Sequence, residues 1–398
     1  MTKNLLRPGP DLDELLGAQM DAFTYTLRKA AAGGAHSGKL LAWLGQTFFL
    51  ANARSFYGPE NPFASEPELL DAFIDWEGGL LELVVSPAPW LTARKACAGR
   101  EKLVAAMLRF FDSGRHQQAS RLVQERTETS KKFGLSNAEI ARSELMLLFA
   151  VTANAMPVAF WMLCHAFTDP NLLAALRKQI ADRAVSADGN TRYISAAALK
   201  RACPLLVSTY RETLRVSANL ASVRFVREDI WVADQYLLKK GAIVQVAGGQ
   251  VHHEKEIWGA DADVFRADRF MEEAAAAARA EGEHDQQQED SGTEPRDGEK
   301  KTERAVPRPK NVPAASFRAF GGGMVICPGR HFAVMELIGF VATVLLTFDI
   351  SETDGSALLL PEKNNCKLPL GSMKPVKDPR VTIQPRQGME HLKWDLIL

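Results

Sequence analysis

FGGGMVICPGR, residues 320–330, places three glycines, one cysteine and a Pro-Gly pair in a single loop. The apolar run HFAVMELIGFVATVLL follows directly, so the cysteine stands at the mouth of a helix. A helix N-terminus offers free amide N–H groups and the positive end of the helix dipole, and both stabilise a thiolate. Glycines let the backbone approach another group closely, and Pro328 suits a first helical turn.

Outward from this loop the chain is ordinary in composition. It has 398 residues, 46% hydrophobic and 24% charged, with a formal net charge of zero. That length supports a large core, and the balanced charge gives no electrostatic case for nucleic acid. The five cysteines show neither a CxxC pair nor regular spacing, so neither a zinc site nor a disulfide framework is indicated. The opening MTKNLLRPGPDLDELL is charged and broken by proline, unlike a signal peptide.

Residues 1 to about 217 carry apolar side chains at helical spacing in one segment after another, among them LDELLGAQMDAFTYTLRKA, SGKLLAWLGQTFFLANARSFYG and REKLVAAMLRFFDSGR. Leu145 to Thr168 contains no Asp, Glu, Lys or Arg and is long enough to span a bilayer. Thr152, Asn154, Pro157 and His165 within it favour a buried core helix instead. After residue 220, ASVRFVREDI, WVADQYLL and GAIVQVAGG read as short strands. Residues 271–311 are low-complexity and almost without large apolar residues, which predicts a disordered surface insertion. The expected fold is mainly α with a small β portion (α+β), one domain over 1–398 with the insertion inside it.

On physical grounds the loop suits a single cysteine ligating haem iron, with Phe320 packed on the cofactor face. A glycine-rich turn around a buried cysteine is equally open. A nucleophilic cysteine is a third reading, but it wants a histidine base, and neither His252 nor His253 lies in a recognisable signature.

Phe320, Gly323, Cys327 and Gly329 match the signature Phe-x-x-Gly-x-Arg-x-Cys-x-Gly, and the chain here resembles the cytochrome P450 superfamily. Arg330, Phe332, Ala333 and Glu336 also look like that family's next helix. Val325 departs, standing where the family has an arginine for a haem propionate. Glu212 and Arg215 resemble the family's Glu-x-x-Arg helix; at i and i+3 they share a face and can pair. Asp268-Arg269-Phe270 resembles its Pro-Glu-Arg-Phe motif, with Ala267 for the proline, and implies a Glu212–Arg215–Arg269 network. Arg224 matches a strand arginine that holds a propionate. The order of these motifs runs the length of the chain.

The resemblance implies a cytochrome P450 fold, haem held by Cys327 as metal ligand, and Phe320, Gly323, Gly329 and Arg224 around it. It also implies a haem-thiolate monooxygenase acting on a small lipophilic metabolite (a sterol, terpenoid or polyketide-like molecule) with electrons from an NADPH–cytochrome P450 reductase. Where the family has an acid-alcohol pair over the iron, this chain has Ala153 and Asn154. Thr152 and Asn154 are therefore the candidate catalytic residues, with a helix-packing amide as the plain alternative for Asn154. ANAMPVAFW resembles the branch of sterol 7α-hydroxylases and prostacyclin synthase. That branch leaves open an isomerase or dehydratase of a peroxide substrate, and a non-catalytic relative is the remaining alternative. The family's anchor, first strands and Trp-x-x-x-Arg helix find no counterpart before Leu5, so the expectation is a fungal-type, N-terminally truncated member. Contact with a membrane surface, typically at the endoplasmic reticulum, is implied by the family alone.

Overall fold

The structure is a computed structural model that describes residues 2–272, 309, 312–364 and 371–398. Most of the 271–311 stretch, and with it the expected disorder, lies outside the described residues. Helices dominate, and their ends follow local chemistry. Pro10–Ala32 opens on a proline with Asp11 and Asp13 in its first turn. Asn137–Thr152 starts at a capping box in which Ser136 and Glu139 exchange side-chain-to-backbone bonds. Asp169 caps Pro170–Ala184 through the N–H groups of Asn171 and Leu172.

Ten short strands complete the described fold. β1 (His36–Lys39), β9 (Arg380–Pro385) and β8 (Phe348–Glu352) form one antiparallel sheet in that order. β10 (Lys393–Ile397) lies parallel to β3 (Thr191–Ser195), which pairs antiparallel with β2 (Val185–Asp188). β4 (Ala221–Phe225) pairs with β7 (Ile243–Ala247), and β5 (Ile230–Val232) with β6 (Tyr236–Leu238). The protein is thus mainly α with a small β portion. β1, β2 and β3 lie within the stretch whose spacing reads as helical; HSGK begins a predicted helix but pairs instead with β9.

The apolar run 145–168 is two helices rather than one. Asn137–Thr152 ends and Ala155–Thr168 begins across Ala153–Asn154. Pro157 accounts for the break: it has no N–H for the carbonyl of Ala153 four residues earlier, and its ring crowds that carbonyl. The combined span and the Arg330–Thr347 helix are each apolar and long enough to cross a membrane, but both are mostly buried. They stand at the centre of one core, which also takes in Phe23, Phe48 and Phe340, their rings about 5 Å apart.

Candidate functional site

The Pro204–Ser217 helix carries Glu212 and Arg215, both fully buried. The Arg215 guanidinium grips the Glu212 carboxylate as a fork, with Nε–Oε2 at 2.8 Å and Nη2–Oε1 at 2.7 Å. Its remaining N–H groups donate to the carbonyls of His252 and Ala262, both at 2.6 Å, and Val264 at 3.2 Å. Arg269 reaches Glu212 Oε1 from the other side at 3.0 Å, and the Arg266 backbone N–H donates to the same oxygen at 3.0 Å. Glu212, Arg215 and Arg269 are therefore together, and they fasten the helix to the irregular segment 252–270.

That segment continues the connection towards the cysteine. His252 is buried; burial and the nearby Arg215 charge lower its pKa to about 4, so the ring is neutral at pH 7. Its Nε2 accepts the backbone N–H of Arg318 at 2.8 Å, which assigns the proton to Nδ1. Two residues later the loop begins. The Cys327 N–H donates to the Phe320 carbonyl at 2.9 Å, closing the loop on itself. Gly321 (φ 76°) and Gly323 (φ 65°) are left-handed, a conformation that a side chain resists.

Cys327 is half-buried, three residues ahead of the first residue of the Arg330–Thr347 helix. Burial pushes the thiol up, while a hydrogen bond from the Gly329 backbone N–H and the charge of Arg330 pull it down; burial wins. Met324 and Val325 are exposed on the open side of the loop, and Phe320 is half-buried. Arg224, on β4, donates to the Gly322 carbonyl at 3.2 Å.

Arg318 is the residue that the motif match passed over. Its guanidinium lies against Gly322, so a Cβ there would fall 3.1 Å from Nη2, and its buried Nε has no hydrogen-bond partner among the described residues. Its other bonds, to Ser222 Oγ at 3.4 Å and the Ala315 carbonyl at 3.5 Å, are long. Two guanidinium groups thus flank the loop, and among the described residues neither has a carboxylate partner. An arginine just before a glycine-rich loop that has Val325 in place of the motif's arginine was the available signal.

Thr152 and Asn154 stand at the helix break. Thr152 is buried and its Oγ1 accepts from Asn52 Nδ2 at 3.2 Å. Asn154 Oδ1 accepts the Ser372 backbone N–H at 3.2 Å and presses on Gly371, where a Cβ would fall 2.1 Å from that oxygen. The amide therefore ties the break to the C-terminal segment.

The profile of the cytochrome P450 family matches residues 93–377. Over 392 residues the chain is 32% identical to the cytochrome P450 monooxygenase nodJ of Hypoxylon pulicicidum, covering 97% of this chain and 68% of the relative. A cytochrome P450 monooxygenase of Gibberella zeae is 27% identical, with 89% and 64% covered. The 25-hydroxycholesterol 7-alpha-hydroxylase of Rattus norvegicus is 29% identical, with 78% and 69% covered. The chain spans about two thirds of the length of these three relatives. Fungal monooxygenases and a sterol 7α-hydroxylase together match the branch that ANAMPVAFW resembles. A cysteine loop at a helix mouth, wired through His252 to a buried Glu-x-x-Arg pair, and the match from residue 93 to 377 lead to one conclusion: the chain belongs to the cytochrome P450 family.

Proposed function

We propose that the chain forms the catalytic part of a haem-thiolate monooxygenase that oxidises a small lipophilic metabolite with dioxygen. NADPH–cytochrome P450 reductase would supply the electrons. The observation that carries this reading is the cysteine loop: one sulfur at a helix mouth, a Gly329 N–H aimed at it, and an open glycine face flanked by two arginines without carboxylates. These residues fit haem, a flat group with one iron to ligate and two carboxylates to balance. Bound through the thiolate, haem would supply the activation of dioxygen.

The chain's own residues would do the rest. Cys327 would ligate, and the Gly329 N–H would stabilise its negative charge. Arg224 and Arg318 would hold the carboxylates, Arg318 compensating for the missing arginine at Val325. Thr152 and Asn154 would face the reacting side. Neither bears a titratable proton at neutral pH, so each could orient water that delivers protons but could not itself be the acid.

Two measurements check this. Purified protein given haemin should show a ferrous-CO Soret band strongly red-shifted from that of a His-ligated haem, and substrate turnover should need both NADPH and oxygen. Protein that takes up no haemin would leave the non-catalytic relative standing, and turnover of a lipid hydroperoxide without NADPH would favour the isomerase. Arg318→Ala and Arg224→Ala should each weaken haemin binding by roughly 10- to 100-fold, the loss of one charge-assisted hydrogen bond worth about 1.5–3 kcal/mol. Neither should change the affinity for the porphyrin dimethyl ester. Equal losses for acid and ester would show that the arginines only shape the loop.

A further inference from the structure

Five polar side chains from four helices meet in the middle of the core. Gln19 and Asn52 are fully buried, Thr152 and Glu336 are 1% exposed and Ser55 is 5% exposed. Asn52, on the Leu40–Tyr57 helix, spends both amide protons on the broken central span. One goes to the Val151 carbonyl at 3.1 Å and the other to Thr152 Oγ1 at 3.2 Å. Its own oxygen accepts from Gln19 Nε2 at 2.8 Å. The same Gln19 nitrogen donates to Glu336 Oε1 at 3.0 Å, and Gln19 Oε1 accepts from Ser55 Oγ. Glu336 lies on the Arg330–Thr347 helix, the one that follows Cys327.

We propose that Asn52, held by Gln19 and Glu336, is a positioning residue that fixes the last turn before the Ala153–Asn154 break and so sets where Thr152 and Asn154 stand relative to the helix that follows Cys327. The break that Pro157 imposes exposes backbone polar groups inside the core, and such groups need partners. Water often fills that role in protein interiors. Here a side chain reaches across from a neighbouring helix, and Gln19 anchors its far end to Glu336, on the helix that follows Cys327. A leucine at position 52 would fill the same core space and fix nothing, whereas an amide with both donors and its acceptor engaged has one orientation.

Glu336 has no cationic partner among the described residues, and burial holds its carboxyl well above the usual carboxylate range. Gln19 Nε2 donates to this carboxyl, and the contact ties the Pro10–Ala32 helix to the Arg330–Thr347 helix. An amide such as Gln19 or Asn52 is a poor proton carrier, so the role is geometric: three side chains link the end of the Asn137–Thr152 helix to the Arg330–Thr347 helix. The catalytic weight of that position rests on the monooxygenase reading; the geometric role does not.

The test uses the full chain and two readouts. Hydrogen–deuterium exchange without substrate or reductase should rise about tenfold in peptides covering 149–158 of Asn52→Ala, the loss expected when hydrogen bonds to buried groups are removed. Exchange in the Arg94–Asp112 helix should be unchanged. Thr152→Val should give a smaller rise in the same peptides, and Glu336→Gln, which keeps an acceptor for Gln19, should behave as wild type. In haem-loaded protein the C–O stretch of the ferrous carbonyl should shift in Asn52→Ala and stay in place in Glu336→Gln. Exchange unchanged at the break, or raised evenly along the chain, would overturn the proposal. So would a C–O stretch that ignores Asn52. Should Asn52→Ala not fold, Thr152→Val decides by the same two readouts. Failure of wild-type protein to give the thiolate band would sink the haem reading alone, since the exchange arm still judges the geometry.

Discussion

Glu212→Ala lowers the unfolding free energy by about 3–5 kcal/mol, the cost of leaving a buried charge without its partner. Arg215 would remain fully buried, its fork empty, facing only the carbonyls of His252, Ala262 and Val264. Arg269 keeps Asp261 at 3.2 Å and loses less. Arg215→Ala strands Glu212 only in part, because the Arg269 guanidinium and the Arg266 N–H still reach Oε1. Its damage comes from the His252 and Ala262 carbonyls losing a donor, since Val264 keeps Arg269 Nη2 at 3.1 Å, and it should fall somewhat below that of Glu212→Ala. Arg109→Ala is the control: that arginine pairs with Glu66 at 2.7 Å but is 55% exposed, and an exposed pair is worth at most about 1 kcal/mol. Urea denaturation of the three variants checks the order. A Glu212→Ala variant no worse than Arg109→Ala would show that the pair is solvated in solution. The loss should also reach the cysteine loop, because the His252 carbonyl accepts from Arg215 while its ring holds the Arg318 N–H.

The parts of this protein that were legible in its sequence are those built from residues close together in the chain. Glu212 and Arg215 pair because i and i+3 share a helix face, and the cysteine loop closes within FGGGMVIC. The long helices announce themselves by spacing, and the strands after residue 220 by β-branched runs. What stayed hidden depends on distant partners. HSGK has no apolar alternation and is a strand only because β9, with His36 opposite Ile383, lies beside it. Pro157 is plain in the sequence, but the break falls three to four residues before it, where its ring meets the preceding turn. Gln19 and Glu336 are separated by 317 positions, and nothing local marks either as half of a buried pair. Arg318 was passed over because the motif begins two residues later, although its guanidinium flanks the same loop.

With Cys327 as the proposed haem ligand, Cys327→Ser should abolish the red-shifted ferrous-CO band and, with it, the proposed NADPH-dependent oxidation. An alcohol is a far weaker donor than a thiolate and stays protonated at neutral pH, so the Gly329 N–H that now serves the sulfur would have no anion to stabilise. The fold should separate from ligation in this variant. The loop is closed by main-chain bonding between Cys327 and Phe320 and held from outside by His252, neither of which needs the sulfur. The thermal midpoint should therefore stay near wild type. Arg224 and Arg318 should still recruit haemin, with weaker binding and a spectrum lacking the thiolate signature. Loss of the band with the fold retained would identify the sulfur as the iron ligand. An unchanged band would place the ligand on another residue, and collapse of the fold would mean that Cys327 serves the core.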